Sequence, residues 1–481
     1  MLFNSYEFAL FFLPVFMVGF YIIRYAANKK QAPETVLSVY CIAGSLFFYA
    51  LFGVRNILVL LASILVNLLV LKLLENESVR SSGKWILAAG VVANCLALLF
   101  FKFKGSFFPV AISFYTFNQI SFLVDFYRID EKEKRLCVTN YLLYILFFPK
   151  LLQGPLMRFE DFEKEKETAF GAELDRDLLM RALLLFSIGL FKKVILADTF
   201  GKAVDFAYGG LDGIGSLEAV LTAVFYSFQL YFDFSGYCDV ATAVCMMMGM
   251  KLPLNFDSPY RAVNIVDFWK RWHISLTGFF TRYIYIPLGG NRKGTVRTYL
   301  NLMIVFLISG LWHGNGLTFI IWGAMHGVLY VITRILMGND KTIKTGNMFI
   351  RIIKTILTFA YVTAAWVFFR AGTVADALRL FGRMFTGGRK TLPAGFSSCF
   401  QLDEIWYVLK VTPIMKLSFA WDVCLWGFLL VSVFIIFFNK NAITQAKECK
   451  IGIRTTLATF VLLAWSIVSF SGVSTFLYMN F

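Results

Sequence analysis

Apolar runs long enough to cross a bilayer recur along the whole chain. They lie near 6–24, 36–52, 56–74, 84–103, 109–127, 138–152, 178–197, 217–232, 299–312, 317–336, 351–369, 422–438 and 453–472. A spanning helix needs about 20 apolar residues. Several runs are shorter or merge, so the pattern defines the set of spans more sharply than their number. Segment 233–290 breaks the pattern by mixing Gly, Pro, Asp, Trp, Arg and His with apolar residues. Such a stretch cannot face lipid, because broken backbone and charges need protein or water partners. It is expected to be re-entrant or buried inside the bundle. The hydrophilic stretch 158–177 reads as a mixed-charge loop or surface helix. No internal repeat or low-complexity tract is visible.

Composition turns these runs into a fold class. Of 481 residues, 58% are hydrophobic, 18% aromatic and only 16% charged, with mean hydropathy +0.69. Soluble domains carry about 25% charged residues. A cytosolic enzyme, a secreted domain and a disordered chain are excluded. The expectation is one all-α polytopic membrane domain over 1–481, with a catalytic core near 109–336 and a final span and tail near 453–481. Residues 6–24 have no basic stretch before them and no small-residue cleavage site after them, so they read as a retained first span.

Net charge is +16, from 46 Lys+Arg and 30 Asp+Glu. No basic domain stands apart from the apolar runs, so nucleic acid is not an expected partner; cationic cytoplasmic loops account for the excess. Arg24, Lys29 and Lys30 follow the first span, and Lys440, Lys447, Lys450 and Arg454 precede the last. Both ends are therefore expected outside the cell. That requires an even number of crossings, so at least one of the thirteen runs does not cross. The eight cysteines form no C-x-x-C pair, and most read as small buried hydrophobes.

Candidate chemistry gathers in one window. The three histidines are His273, His313 and His326; two follow Trp272 and Trp312, and two precede glycine. Intramembrane ionisable groups are functional candidates. A lone His more often makes a neutral helix-to-helix hydrogen bond, but three clustered among Gly and Trp favour general-base work. Their spacing forms no zinc motif, so no metal is expected. The window also holds Lys251, Arg261, Lys270, Arg271, Arg282, Arg292, Lys293 and Arg297 against Asp257 and Asp267, which would suit a phosphate-bearing substrate. Positive-inside bias explains the same charges. A second cluster holds Asp233, Ser235, Tyr237 and Asp239. Buried carboxylates need partners, and Arg271 or Arg282 are the candidates. The Pro287–Arg292 loop could offer backbone N–H groups to a phosphate, although it matches no phosphate-binding pattern.

At these residues the chain resembles the membrane-bound O-acyltransferase (MBOAT) superfamily, most of all its bacterial alginate O-acetylation branch. The D-alanyl transferase of teichoic acids is a more distant likeness. The motifs are YFDFSGYCDVATA (231–243), NFDSPY (255–260), FWKRWHISLTGFFTRYIYIPLGGNRKG (268–294), GLWHG (310–314) and WGAMHG ending at Gly327. The segment FFPKLLQGPLMRFEDF (147–162) and the opening MLFNSYEFALFFLPV also fit. Thr281 departs from the branch, which has Asp there. The resemblance implies a ring of about 11–13 membrane helices around a thinned centre. It implies acyl transfer from a cytoplasmic thioester, with acetyl-CoA the expected co-substrate, to a hydroxyl. The superfamily's invariant histidine maps onto His313 and its second position, Asn or His, onto His273; His326 matches a further histidine of the branch.

A hydroxyl needs a base to become a nucleophile, which is the role expected of His313. The oxyanion needs donors, and His273 or a nearby N–H is the candidate. The 476–481 segment has the form F-x-Y-x-x-F, similar to the terminal motif of the branch. Tyr478 is thus a candidate acyl relay to an extracellular SGNH-type, esterase-like partner acting on a polysaccharide; an aromatic interface anchor is the plainer role. The other readings are D-alanyl transfer from a carrier-protein thioester, a transporter of lipid-linked precursors, and a non-catalytic scaffold.

Overall fold

The computed structural model describes all residues except 31–33, 105–106, 130–134, 338–346, 389–390, 403–411, 414–416, 418, 473–475 and 478–481. Among the described residues the chain is helical throughout, with no strand. Helices α1 (Leu13–Lys30), α2 (Thr35–Ala50), α3 (Val54–Glu75) and α4 (Gly83–Phe103) lead to α5 (Ile112–Arg128). Short helices α6 (Val138–Leu146) and α7 (Phe148–Leu151) precede the polar α8 (Phe159–Gly171). Helix α9 (Arg176–Phe191) passes through a π-turn, Lys192–Ala197, into α10 (Asp198–Tyr208). Then come α11 (Ser216–Met248), α12 (Ile265–Trp269), α13 (Ile274–Phe280), α14 (Thr295–His313), α15 (Leu317–Met337), α16 (Met348–Arg370) and α17 (Val374–Thr386). Two further long helices follow, Ala420–Phe437 and Ile453–Val468.

Seven helices among the described residues are long and apolar enough to cross a membrane, and Thr35–Ala50 and Ile453–Val468 are shorter apolar helices. The protein is a multi-pass membrane protein. Peripheral helices bury a single stripe and turn the rest outward. In α3 that stripe is Asn56, Leu60, Ile64, Asn67, Leu71 and Leu74, a helical repeat that faces one neighbour. Both its polar members are bonded: Asn56 Oδ1 accepts from Val110 N–H at 2.8 Å, Asn67 and Asn94 bond reciprocally, and Asn67 donates to Gln119 Oε1 at 2.9 Å. Such bonds hold helices together where lipid removes the hydrophobic drive.

Two central helices are different. Helices α5 and α11 are buried along nearly their whole length. At 33 residues, α11 is about 50 Å long. It therefore absorbs 233–248, which the sequence pattern assigned to the irregular segment; only 249–290 is broken. Burial against protein, not lipid, is what lets a helix carry Asp233, Ser235 and Asp239. Run 138–152 also differs from expectation. Its helices have nine and four residues, and nine residues reach only about 14 Å. Neither helix of this run is long enough to cross a bilayer. The cysteines are mixed as well: Cys41, Cys238 and Cys245 are buried, whereas Cys95 and Cys137 are exposed.

Glycines set the closest crossings. A Cβ on Gly189 would lie 2.8 Å from the Gly236 carbonyl, and one on Gly236 equally close to that of Gly189. The α9 and α11 backbones therefore touch. Gly310 and Gly323 do the same for α14 and α15, which brings the two helices bearing His313 and His326 together.

Candidate active site

Helix α11 stops at Gly249, and the chain turns back through an irregular loop to α12 and α13. Arg24 of α1 caps this end, donating to the Ala169 and Met248 carbonyls; a cation at a helix C-terminus opposes the helix dipole. The loop is tied to the start of α13 by Asn255. Its carbonyl accepts from Ile274 N–H at 3.0 Å. Its side-chain Oδ1 accepts from Ser275 N–H at 3.1 Å and Ser275 Oγ at 2.9 Å, and lies 3.3 Å from His273 Nδ1. A backbone N–H can only donate, so the shared atom is the amide oxygen. His273 Nδ1 must then carry its proton, which leaves Nε2 as the bare, basic nitrogen. That atom is buried with no hydrogen-bond partner. His273 also sits in the left-handed region, at φ 46°, held there as the residue before α13. Asn255 is a site residue that sequence reasoning passed over, although its motif NFDSPY was in view.

His326 has the opposite arrangement. Trp269 Nε1–H donates to its Nδ1 at 3.3 Å. An indole only donates, so neutral His326 carries its proton on Nε2. His313 ends α14, and its ring lies 4.5 Å from Trp312, 5.1 Å from Trp322 and 4.9 Å from Phe369. Trp322 stands between the two, 5.0 Å from His326 on its other flank. Trp272 closes the same box, 5.1 Å from Trp366. All three histidines are buried in aromatic rings. His273 and Lys102 lie within electrostatic reach of His313, and Lys102 donates to the Trp312 carbonyl. Lys102 was also missed, since it reads as the charged end of a span.

The carboxylates of 231–239 do not pair with Arg271 or Arg282. Asp239 binds Lys192 at 2.6 Å, and Asp233 binds Lys193 at 2.8 Å. Lys193 also binds Asp198 at 2.7 Å, and Lys192 donates to Ser235 Oγ at 3.2 Å. The reason is the α9–α11 glycine crossing, which sets the π-turn lysines against the acidic face of α11. Arg271 instead binds Asp267 at 2.8 Å and is one-third exposed. Arg282 shares Asp125 with Tyr283 and Arg158. Tyr237 Oη accepts from Gln153 N–H at 3.2 Å. The N–H groups of 288–290 and 292 are spent inside their own turn, on Ile284, Ile286, Tyr285 and Gly289, so this loop offers no phosphate cradle. Tyr478 lies outside the described residues. Among the described residues, no group of three His, Cys, Asp or Glu gathers to hold a metal.

A cavity of about 520 Å³ opens beside α8. Its rim carries Arg158, Lys164, Lys251 and Arg282 with Asp161 and Glu165, and its wall includes Leu156, Ser275, Phe117 and Phe279. Ser275 is bonded to Asn255, the partner of His273. Phe117 stacks on Phe279 at 4.5 Å and lies 5.4 Å from Trp312, the neighbour of His313. The cavity thus joins a charged rim to side chains, Ser275 and Phe117, that touch Asn255 and Trp312.

Residues 130–372 match the family described as MBOAT, membrane-bound O-acyltransferase. The chain is 33% identical to a peptidoglycan O-acetyltransferase of Helicobacter pylori, over all of this chain and 98% of that protein. It is 34% identical to a probable alginate O-acetylase of Pseudomonas aeruginosa, over 81% of this chain and 75% of that one. A teichoic acid D-alanyltransferase of Bacillus subtilis is 29% identical, over 54% of this chain and 68% of its own. Fold, motifs and these likenesses converge: the chain is an acyltransferase and belongs to the membrane-bound O-acyltransferase family.

Proposed function

We propose that this enzyme takes acetyl from cytoplasmic acetyl-CoA and moves it across the cell membrane for O-acetylation of an exported or cell-wall polysaccharide. The observation that carries the reading is the cavity with four cations at its rim and a wall that contacts Asn255 and Trp312, the partner of His273 and the neighbour of His313. Cations suit the phosphates of coenzyme A, and the aromatic wall suits a thioester kept from water. Likeness to a peptidoglycan O-acetyltransferase over the whole chain, against half the chain for a D-alanyltransferase, favours acetyl over D-alanyl.

In the reaction a hydroxyl oxygen attacks the thioester carbonyl carbon and its proton passes to His313. The tetrahedral oxyanion collapses, the C–S bond breaks, and the leaving thiolate takes the proton back from the imidazolium. His273, held with Nε2 bare, is not a second acceptor for that single proton; its fixed, buried ring orients the incoming oxygen by packing. This differs from an oxyanion donor, because a bare nitrogen has no proton to give; His326 Nε2–H is the histidine donor in the box. Tyr478 is the first acceptor. A phenol has pKa about 10, so its ester is activated enough to pass acetyl to an extracellular SGNH-type partner.

The test uses protein in proteoliposomes with acetyl-labelled acetyl-CoA, following label onto protein and onto added polysaccharide. Label that needs His313 supports the reading. A His313→Ala protein that labels like wild type sinks it.

A further inference from the structure

The Lys193–Asp233 pair does not end on its own two helices. Asp233 Oδ1 takes Lys193 at 2.8 Å. Its other oxygen, Oδ2, accepts the backbone N–H of Leu477 at 3.0 Å. One residue earlier, the Phe476 ring is buried. It meets Tyr237 edge-on at 5.0 Å, and Lys193 Nζ lies 4.9 Å from its centroid. The neighbouring pair, Lys192–Asp239, is completed by Ser235 from α11 itself. Of two similar ion pairs, whose carboxylates stand six residues apart on α11, one is thus closed internally and the other by a segment some 240 residues away in sequence.

Position gives this a purpose. Asp233 lies at the middle of α11, roughly 25 Å from either end of the helix. Phe234, the next residue, packs on His273 with ring centroids 4.7 Å apart. The bond to Leu477 and the contact to His273 therefore leave a single helical turn. Hydrogen bonds to an ionised acceptor are roughly twice as strong as neutral ones, and a cation over an aromatic face adds to them. A segment held this way is fixed in depth and direction, and Tyr478 is its next residue.

We propose that Asp233 and Lys193 form a seat for residues 476–477 and act as positioning residues for Tyr478. The seat itself stands on the contacts above; its use in catalysis rests on the acyl relay of the preceding reading. The seat acts through a backbone N–H, which only proline removes. Leu477→Pro deletes the donor without touching the buried ion pair, whereas Leu477→Ala keeps it. Asp233→Asn is the complementary change, carried alongside in case loss of the buried charge impairs folding.

The experiment measures amide hydrogen exchange of the peptide ending at residue 481, together with acetyl transfer, on the full-length protein. Leu477→Pro and Asp233→Asn are expected to speed exchange of that peptide by about tenfold or more, with Leu477→Ala well below them. Transfer is expected to fall through kcat by about tenfold or more, with KM for acetyl-CoA unmoved, because the donor cavity is elsewhere. Equal exchange in wild type, Leu477→Pro and Asp233→Asn overturns the seat. So does a Leu477→Ala protein as loosened as Leu477→Pro. Faster exchange with kcat unchanged upholds the seat and refutes the Tyr478 relay.

Discussion

The two faces of α11 bury polar groups in opposite ways. Toward α9, Lys192, Lys193, Asp233, Asp239 and Asp198 bind one another at 2.6–2.8 Å. Toward the aromatic box, Phe234 packs on His273, whose Nε2 is buried with no bond. A buried, unsatisfied nitrogen costs about 1–3 kcal/mol. The ionic face is finished by the protein alone, with one bond from the 477 amide. The histidine face is left for something to complete. Structure and chemistry thus divide along a single helix.

The comparison breaks most sharply at His313. His313→Ala is expected to lose about 10²–10⁴-fold in acetyl transfer with an unchanged unfolding temperature, read by labelled acetyl-CoA and thermal unfolding in detergent. An equal loss of folding would make this histidine structural. The ionic face should answer the other way. Lys192→Met leaves Asp239 without its cation, and breaking such a buried pair costs about 3–5 kcal/mol, seen as a lost folded fraction. Lys192→Met with Asp239→Leu, which removes both charges, should recover most of it. Failure of the double variant to recover would mean that the charges do more than pair.

Asn255→Ala should sit between the two. The protein stays folded, but His273 loses what fixes its tautomer, and kcat falls about tenfold, the scale of lost groups that orient a catalytic histidine. Asn255→Asp, which still accepts from Nδ1–H, should recover part of it; identical losses in both would argue against the tautomer. The smallest effect belongs to the cavity rim. Lys164→Gln with Lys251→Gln should raise KM for acetyl-CoA a few-fold, by about 1 kcal/mol or less, leaving kcat unmoved and weakening the dependence on salt.

The membrane helices were legible because their apolar runs are local. Helix α11 was not. Asp233, Gly236 and Asp239 read as an interruption, since their partners Lys192 and Lys193 sit some 40 residues earlier, at the end of another apolar run. Nothing local says that two lysines and two carboxylates meet; the Gly189–Gly236 crossing decides it. The histidine window was legible from its Trp and Gly neighbours. Its wiring was not: Asn255 looks like an ordinary loop residue until Ser275 N–H fixes which way its amide points. Lys102 carries no sequence signal, since a lysine ending a span is commonplace.

His273 has one more consequence. At φ 46° and ψ 51° its backbone is left-handed, a region that Asn, Asp and His enter several-fold more often than other residues with a Cβ. A β-branched or bulky substitute there would strain the turn by about 1–3 kcal/mol before its side chain met any substrate. The turn acts as a filter on inheritance. It narrows the residues that can be tried at 273 to a few small polar ones, so drift at this position is steered toward side chains that can still bind a proton or donate one.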